Sequence, residues 1–272
     1  MAADSSQLNG PGDELARAIE HQLAAATPSL LPLVEQILLA ATSDVTAVLT
    51  GETGSGKTFL ARLIHDYSPR RAECFTVVPC GAMVSSLFAS ELFGHVRGAF
   101  TGADRPRVGR LESAGGGTIL LDEIDTVERE QQTALLRVVE TGEYEPVGSH
   151  QTRVCNARLI VASNRDLESE VKEGRFREDL WYRLSVLPIH LPPLRERVPD
   201  IGPLARQMAA NFCRKLNKVP VQISPEALAA LERFPWPGNI RQLENVVQQA
   251  VFMSDGPVLL RRHLPKPVQE AG

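Results

Sequence analysis

A doubly wound α/β domain followed by a small all-helical domain is the architecture this sequence predicts, on three observations. Five apolar runs, at 45–49, 75–78, 118–121, 159–162 and 186–191, are continuous rather than alternating, as parallel strands covered on both faces should be. Helical periodicity at 59–65, 84–93 and 129–140 separates them, which is the rhythm of a parallel sheet with crossover helices. Beyond Pro192-Pro193 and Pro199 only helical patterns remain.

In chain order, residues 1–27 read as an N-terminal extension. Residues 1–12 are small and polar and are expected to be mobile, while 13–26 carry a short amphipathic pattern on Leu15, Ile19, Gln22 and Leu23. That segment suits docking on the main domain, docking on a partner, or a loose lead-in equally well. Residues 30–41 form a stronger helix, with Leu30, Leu33, Val34, Ile37 and Leu38 along one face. The α/β domain is assigned to 28–197, the helical domain to 198–265 and a tail to 266–272. In the helical domain one stripe runs through Ile201, Leu204, Ala205, Met208, Phe212 and Leu216. A second helix starts after Ser224 as N-cap with Pro225 at its first position, and a third carries Ile240, Leu243, Val246, Val247 and Ala250.

The chain is centred on Gly51-Glu52-Thr53-Gly54-Ser55-Gly56-Lys57-Thr58, set between the first strand and a helix. Glycines let the backbone curl so that N–H groups point at one phosphate, and the following helix adds the positive end of its dipole. Lys57 has the reach for β- and γ-phosphates, and the Thr58 hydroxyl is a ligand for Mg²⁺. About sixty residues on, the third apolar run ends in Asp122-Glu123. Asp122 is placed to hold the Mg²⁺ shell and Glu123 to polarise an attacking water. Ser163-Asn164 ends the fourth run and reads either as a contact to the γ-phosphate or as an ordinary turn. Arg175, Arg177 and Arg183 cluster in an apolar frame, as structural ion pairs or as charges offered to a phosphate. One segment has no place in the α/β rhythm: Gly98-Ala99-Phe100-Thr101-Gly102-Ala103, a small-residue loop around one aromatic anchor.

Composition narrows the classes. The 272 residues carry a net charge of −4, so no global basic surface points to nucleic acid. Cys74, Cys80, Cys155 and Cys213 lie far apart without a CxxC pair and read as buried thiols of a reducing compartment. No run is long enough to span a membrane and no signal-peptide pattern opens the chain. The expectation is a cytoplasmic protein with no membrane partner.

Residues 98–103 spell GAFTGA, and with them the chain resembles the AAA+ ATPase domain of sigma-54-dependent transcriptional activators, the bacterial enhancer-binding proteins. The resemblance extends from about Leu30 to Leu264. It includes Glu91 to His95, Leu121 to Ile124, Phe176 to Leu184, Leu191 to Arg197 and Trp236 to Asn245. It implies an ATPase that binds ATP and Mg²⁺ between subunits of a ring, usually a hexamer, and remodels the closed sigma-54 RNA polymerase promoter complex to the open one. Carried onto this sequence, Ser163 and Asn164 look like the first sensor, Arg177 and Arg183 like arginine fingers acting on a neighbour's nucleotide, and Arg241 like the second sensor. Phe100 and Thr101 would lead the loop that contacts sigma-54, and residues 142–153 resemble the second pore loop supporting it.

The chain departs from the family in having Thr58 where many members have Glu, Pro79 where an Asn that holds the catalytic glutamate is usual, and Val96 where an acidic residue precedes the loop. No helix-turn-helix follows the last helix, so the expectation is either an excised central domain or a protein that acts without binding DNA itself. The alternative function is a nucleotide-binding co-activator of a mixed ring with weak turnover, which Pro79 and Val96 favour and the intact Lys57, Asp122, Glu123, Arg177, Arg183 and Arg241 oppose.

Overall fold

The computed structural model describes residues 11–83 and 85–271. These divide into two compact units, one of residues 39–51 and 56–191, the other of residues up to Leu38, 52–55 and from Pro192 onward. The expected mobility of residues 1–12 falls mostly outside the described residues.

The first unit is built on a five-stranded sheet of β1 (Ala47–Thr50), β2 (Phe75–Pro79), β3 (Thr118–Asp122), β4 (Arg158–Ser163) and β5 (Leu187–His190). All pairs are parallel, in the order β2-β3-β4-β1-β5. Every predicted strand is present. The three central strands are buried almost throughout, and the two edge strands only in part. Continuous apolar runs therefore mark the middle of the sheet. Val48, Ile119, Leu121 and Val161 enter one core with Phe88, Leu92 and Leu135. Ala47, Leu49, Leu120, Ile160 and Ala162 alternate with them and are equally buried. Val45 and Val186 were expected to open strands, but both are exposed and lie one or two residues outside. The Val186 N–H instead closes a turn onto the Leu184 carbonyl at 2.7 Å.

Parallel connections leave every strand pointing the same way, so the residues after β1, β3 and β4 emerge at one edge. Thr50 pairs with Ser163 there, and Leu121 with Val161. The sequence read residues 98–103 as a loop, and residues 142–153 resemble a second one. Each is in fact closed at its base by a two-residue antiparallel ladder, Gly94–His95 with Arg107–Val108 and Glu143–Tyr144 with Arg153–Val154.

In the second unit, helices Val198–Lys215, Pro225–Arg233 and Asn239–Met253 enclose a core around Phe212, Leu231, Trp236 and Leu243. Ser224 caps the second of these, its Oγ accepting the Ala227 N–H at 3.2 Å. The N-terminal helix Pro11–Ala26 packs on Val198–Lys215 with Ile19 and Leu23 fully buried. It is an integral element and not a loose lead-in. The single helix expected at 30–41 is a 3₁₀ turn, Pro28–Leu33, followed by the α-helix Val34–Thr42. Pro32 has no N–H for an α-helical bond, and the tighter turn absorbs it.

Leu120→Ala, in a fully buried central strand, should destabilise the protein by about 3 kcal/mol. Val77→Ala on the edge strand, where the side chain is 37% exposed, should cost under about 1 kcal/mol. Urea titrations followed by circular dichroism measure both, and equal losses would mean that the sheet is not layered as described.

Candidate functional site

β1 ends at Thr50 and the chain turns at once. Gly51, Gly54 and Gly56 take φ of 147°, 77° and 109°, conformations that side chains other than hydrogen resist. Lys57 opens the helix Lys57–Asp66 and is buried to 5%. A buried ammonium must be paired. Its Nζ donates to the Gly51 carbonyl and to Asn164 Oδ1, each at 2.7 Å. The Thr58 hydroxyl, one residue on, lies 3.5 Å from Asp122 Oδ2, at the outer limit of a hydrogen bond.

Asp122 ends β3, and Glu123 leaves the strand with φ 59°, in the left-handed region. Glu123 Oε1 accepts from Asn164 Nδ2 at 3.2 Å. Its Oε2 lies over Gly81, where any Cβ would collide with it. Asn164 thus bridges the predicted phosphate lysine and the predicted general base. Pro79 has no side-chain donor for Glu123, and here the amide comes from Asn164. Burial, with Asp122 and Glu123 nearby, pushes the Cys80 thiol up to about 12.

Residues 52–55 pack with the helical unit. The Glu52 carboxylate takes Arg195 in a two-point ion pair, 2.9 and 2.7 Å, and Asn239 Nδ2 at 3.1 Å. Arg195 first and Asn239 second hold the carboxyl down to about 2. A pKa lowered on folding means that the pairing is present above the unfolded carboxyl value and is lost only as pH falls through about 2. Arg241 is exposed on the helix that begins at Asn239, whose second residue, Ile240, donates its N–H to the Gly54 carbonyl at 2.9 Å.

The three arginines separate. Arg175 is structural, bound to Glu170 at 2.5 and 2.6 Å. Arg177 is held by Asp179 at 3.0 and 2.7 Å and by Thr133 at 3.1 Å. Arg183 is exposed in the last turn of the helix Glu178–Leu184 and has no hydrogen bond or ion pair among the described residues.

Gly98 to Ala103 forms a closed loop, with Gly98 N–H on the Ala103 carbonyl at 2.9 Å. Gly98 and Gly102 have positive φ and open space where a Cβ would stand, so conformation and not packing demands them. Thr101 is exposed, Ala99 half-buried and Ala103 buried. Phe100 is 39% exposed, and its ring meets His95 edge-on at 5.0 Å. At the loop's base Val96 N–H donates to the Val147 carbonyl at 3.1 Å, and Val147 N–H to Gly94 at 2.9 Å. Backbone bonds to residues 142–153 therefore tether the loop at Val96, the position where the family has an acidic residue.

Sequence reasoning missed three residues around these sites. Asp125, buried to 3%, accepts Ser163 Oγ at 3.0 Å and Asn164 N–H at 3.1 Å. It was visible as the third acid in four residues. Gln132, fully buried, accepts the Arg177 N–H at 2.8 Å, and His95 backs Phe100. Gln132 carries no sequence signal, and the Glu91 to His95 motif marks His95 without giving it this role. Of the cysteines, Cys80 and Cys213 are buried as expected, but Cys74 is exposed and Cys155 only partly covered.

Among the described residues no three His, Cys, Asp or Glu side chains gather as a metal cage. For a cation the chain offers the Thr58 hydroxyl and Asp122, a sparse oxygen set that suits Mg²⁺, which keeps waters and takes substrate phosphate oxygens. No described helix is long and apolar enough to cross a membrane.

The strand order, the glycine loop after β1 and the helical second unit define a P-loop domain of the AAA+ fold. Residues 23–190 match the sigma-54 interaction domain and residues 195–272 the AAA+ ATPase lid domain. The chain is 44% identical over 248 residues to the transcriptional regulatory protein ZraR of Klebsiella oxytoca, covering 91% of this chain and 56% of that protein. It is 43% identical over 264 residues to the Nif-specific regulatory protein of Azotobacter vinelandii, covering 95% and 50%. The crystal structure of NtrX from Brucella abortus in complex with ATP superposes with a TM-score of 0.81 at 30% identity, over 92% of this chain and 57% of that one. The chain belongs to the sigma-54 interaction domain family, that of the sigma-54-dependent transcriptional activators. It spans about half the length of the curated relatives it matches.

Native protein treated with iodoacetamide near pH 8 should be alkylated at Cys74, while Cys80, buried and with its thiol pushed up to about 12, stays unmodified until denatured. Peptide mass spectrometry reads the order, and early labelling of Cys80 would contradict its placement behind the carboxylates.

Proposed function

We propose that the chain hydrolyses ATP to ADP and phosphate, and that the cycle moves the Gly98–Ala103 loop against sigma-54 RNA polymerase to convert the closed promoter complex to the open one. The observation that carries this reading is the bridge Lys57–Asn164–Glu123, which joins a phosphate-binding cation to a general base through one amide. The ATP complex of NtrX, a neighbour at 30% identity, supports a nucleotide at the glycine loop.

In this reading Lys57 exchanges its contacts with Gly51 and Asn164 for the β- and γ-phosphates of ATP. Asn164, released on one side, senses the γ-phosphate and keeps Glu123 oriented. Glu123 accepts a proton from the attacking water, and Gly81 leaves Oε2 room to do so. Thr58 and Asp122 would hold Mg²⁺, which supplies neutralisation of phosphate charge. Arg183, with no hydrogen bond or ion pair among the described residues, is offered to a neighbouring subunit's nucleotide. Arg177 reaches one by giving up Asp179. Both roles need a ring, proposed as a hexamer, with Arg241 as the second sensor. Phe100 and Thr101 contact sigma-54.

Glu123→Gln should keep ATP binding and slow phosphate release by roughly a hundredfold or more. Titration with a fluorescent nucleotide and a steady-state phosphate assay on the same preparation test this. Wild-type turnover in the variant would remove Glu123 as the base, and no turnover in the parent would move the reading to a co-activator of a mixed ring. Phe100→Ala should leave turnover within about twofold, because its ring touches His95 and no group of the bridge. It should abolish sigma-54 binding in the presence of a transition-state mimic. Retained binding at wild-type affinity would show that the loop is not the contact.

A further inference from the structure

The helical unit grips four successive residues of the phosphate loop. Glu52 is held through its carboxylate by Arg195 and Asn239. The Thr53 carbonyl accepts from Asn239 Nδ2 at 3.1 Å, the Gly54 carbonyl from Ile240 N–H at 2.9 Å, and the Ser55 carbonyl from Arg197 Nη1 at 3.0 Å. The gripping groups are themselves fixed. Asn239 is fully buried at φ 51°, its Oδ1 accepting the Leu194 N–H at 2.7 Å. Arg197 is buried against Asp200 at 2.8 Å. The fit leaves no slack, since a Cβ on Gly54 would stand 2.7 Å from the Gly238 carbonyl.

A trans peptide sets its C=O and the next N–H in opposite directions. Carbonyls of Thr53 and Ser55 drawn to the helical unit therefore aim the N–H groups of Gly54 and Gly56 the other way. Neither N–H makes a hydrogen bond among the described residues. Unpaired backbone donors in a glycine loop suit an anion-binding concavity, and its shape depends on what holds the carbonyls behind it.

We propose that Arg195, Arg197 and Asn239 are positioning residues of the phosphate loop. They hold Glu52 to Ser55 so that the Gly54 and Gly56 N–H groups face the phosphates, with the Glu52–Arg195 pair as the clasp at the loop's open end. The inference rests on the reading of this loop as the ATP site. It predicts an effect on nucleotide capture, not on the chemical step. A surface ion pair holding only the fold together would affect neither.

The test uses the exposed pair, whose side chains are 42% and 45% accessible, so that variants keep the fold. Glu52→Gln, Arg195→Gln, the double variant and Lys57→Ala are compared with the parent by fluorescent-nucleotide titration, ATP turnover and thermal melting. Each single clasp variant should raise the KM and Kd for ATP about fivefold, the upper end for an exposed pair. Turnover at saturation and melting temperature should stay unchanged. The double variant should resemble either single one, because both remove the same interaction. Unchanged KM in both singles, a loss confined to kcat, or losses that multiply in the double variant would overturn the clasp. Wild-type nucleotide affinity in Lys57→Ala would instead overturn the loop's assignment, and the inference with it.

Discussion

A single amide side chain, that of Asn164, ties the ends of β1, β3 and β4 together. Its oxygen accepts from Lys57 and its nitrogen donates to Glu123, while its own backbone N–H is taken by Asp125. The arrangement answers a physical demand. An ammonium buried to 5% has to be neutralised or hydrogen-bonded, and a left-handed Glu123 puts its carboxylate within reach of the same group. Buried polar networks of this kind hold one geometry when every member is satisfied. The proposed chemistry then amounts to replacing one partner of Lys57 by a phosphate, which Asn164 is positioned to report to Glu123.

The phosphate loop has a second dependence, on the helical unit's own residues. Its carbonyls at Thr53, Gly54 and Ser55 all accept hydrogen bonds, and its single carboxylate is clasped by Arg195. Glycine-rich loops gain reach from conformational freedom at an entropic cost. Bonds at successive positions remove that freedom before a ligand arrives.

The GAFTGA loop is built on a different logic. Its glycines face open space, its anchor Phe100 is partly exposed and meets His95 edge-on, and its base is tied by backbone bonds to residues 142–153. Few buried contacts at the tip and a firm base suit a segment that moves as a unit.

How far the sequence reached can be read from particular residues. The central strands, the glycine loop, the carboxylate pair after β3 and the Ser224 cap were all legible, because each depends on local periodicity or on a short motif with its own backbone chemistry. The GAFTGA loop was legible only as a spelling. Periodicity shows which strands are buried on both faces, but not that Val45 and Val186 fall outside them, since strand ends are decided by exposure. What the sequence could not contain is pairing across long separations. Asn164 on Lys57, Gln132 on the Arg177 backbone, Arg195 on Glu52 and Asp125 beneath Ser163 join residues whose spacing carries no pattern. Arg175, Arg177 and Arg183 were equivalent in sequence for another reason: carboxylates lie within a few residues of all three, and spacing does not say which will pair. The structure gives the first two carboxylate partners in Glu170 and Asp179, and the third has no hydrogen bond or ion pair among the described residues. Local chemistry therefore determined which residues this protein carries for its function, and tertiary structure decided which of them face each other. A side chain's partner depends on where the sheet and helices deliver it in space, and one chain position does not record that of another.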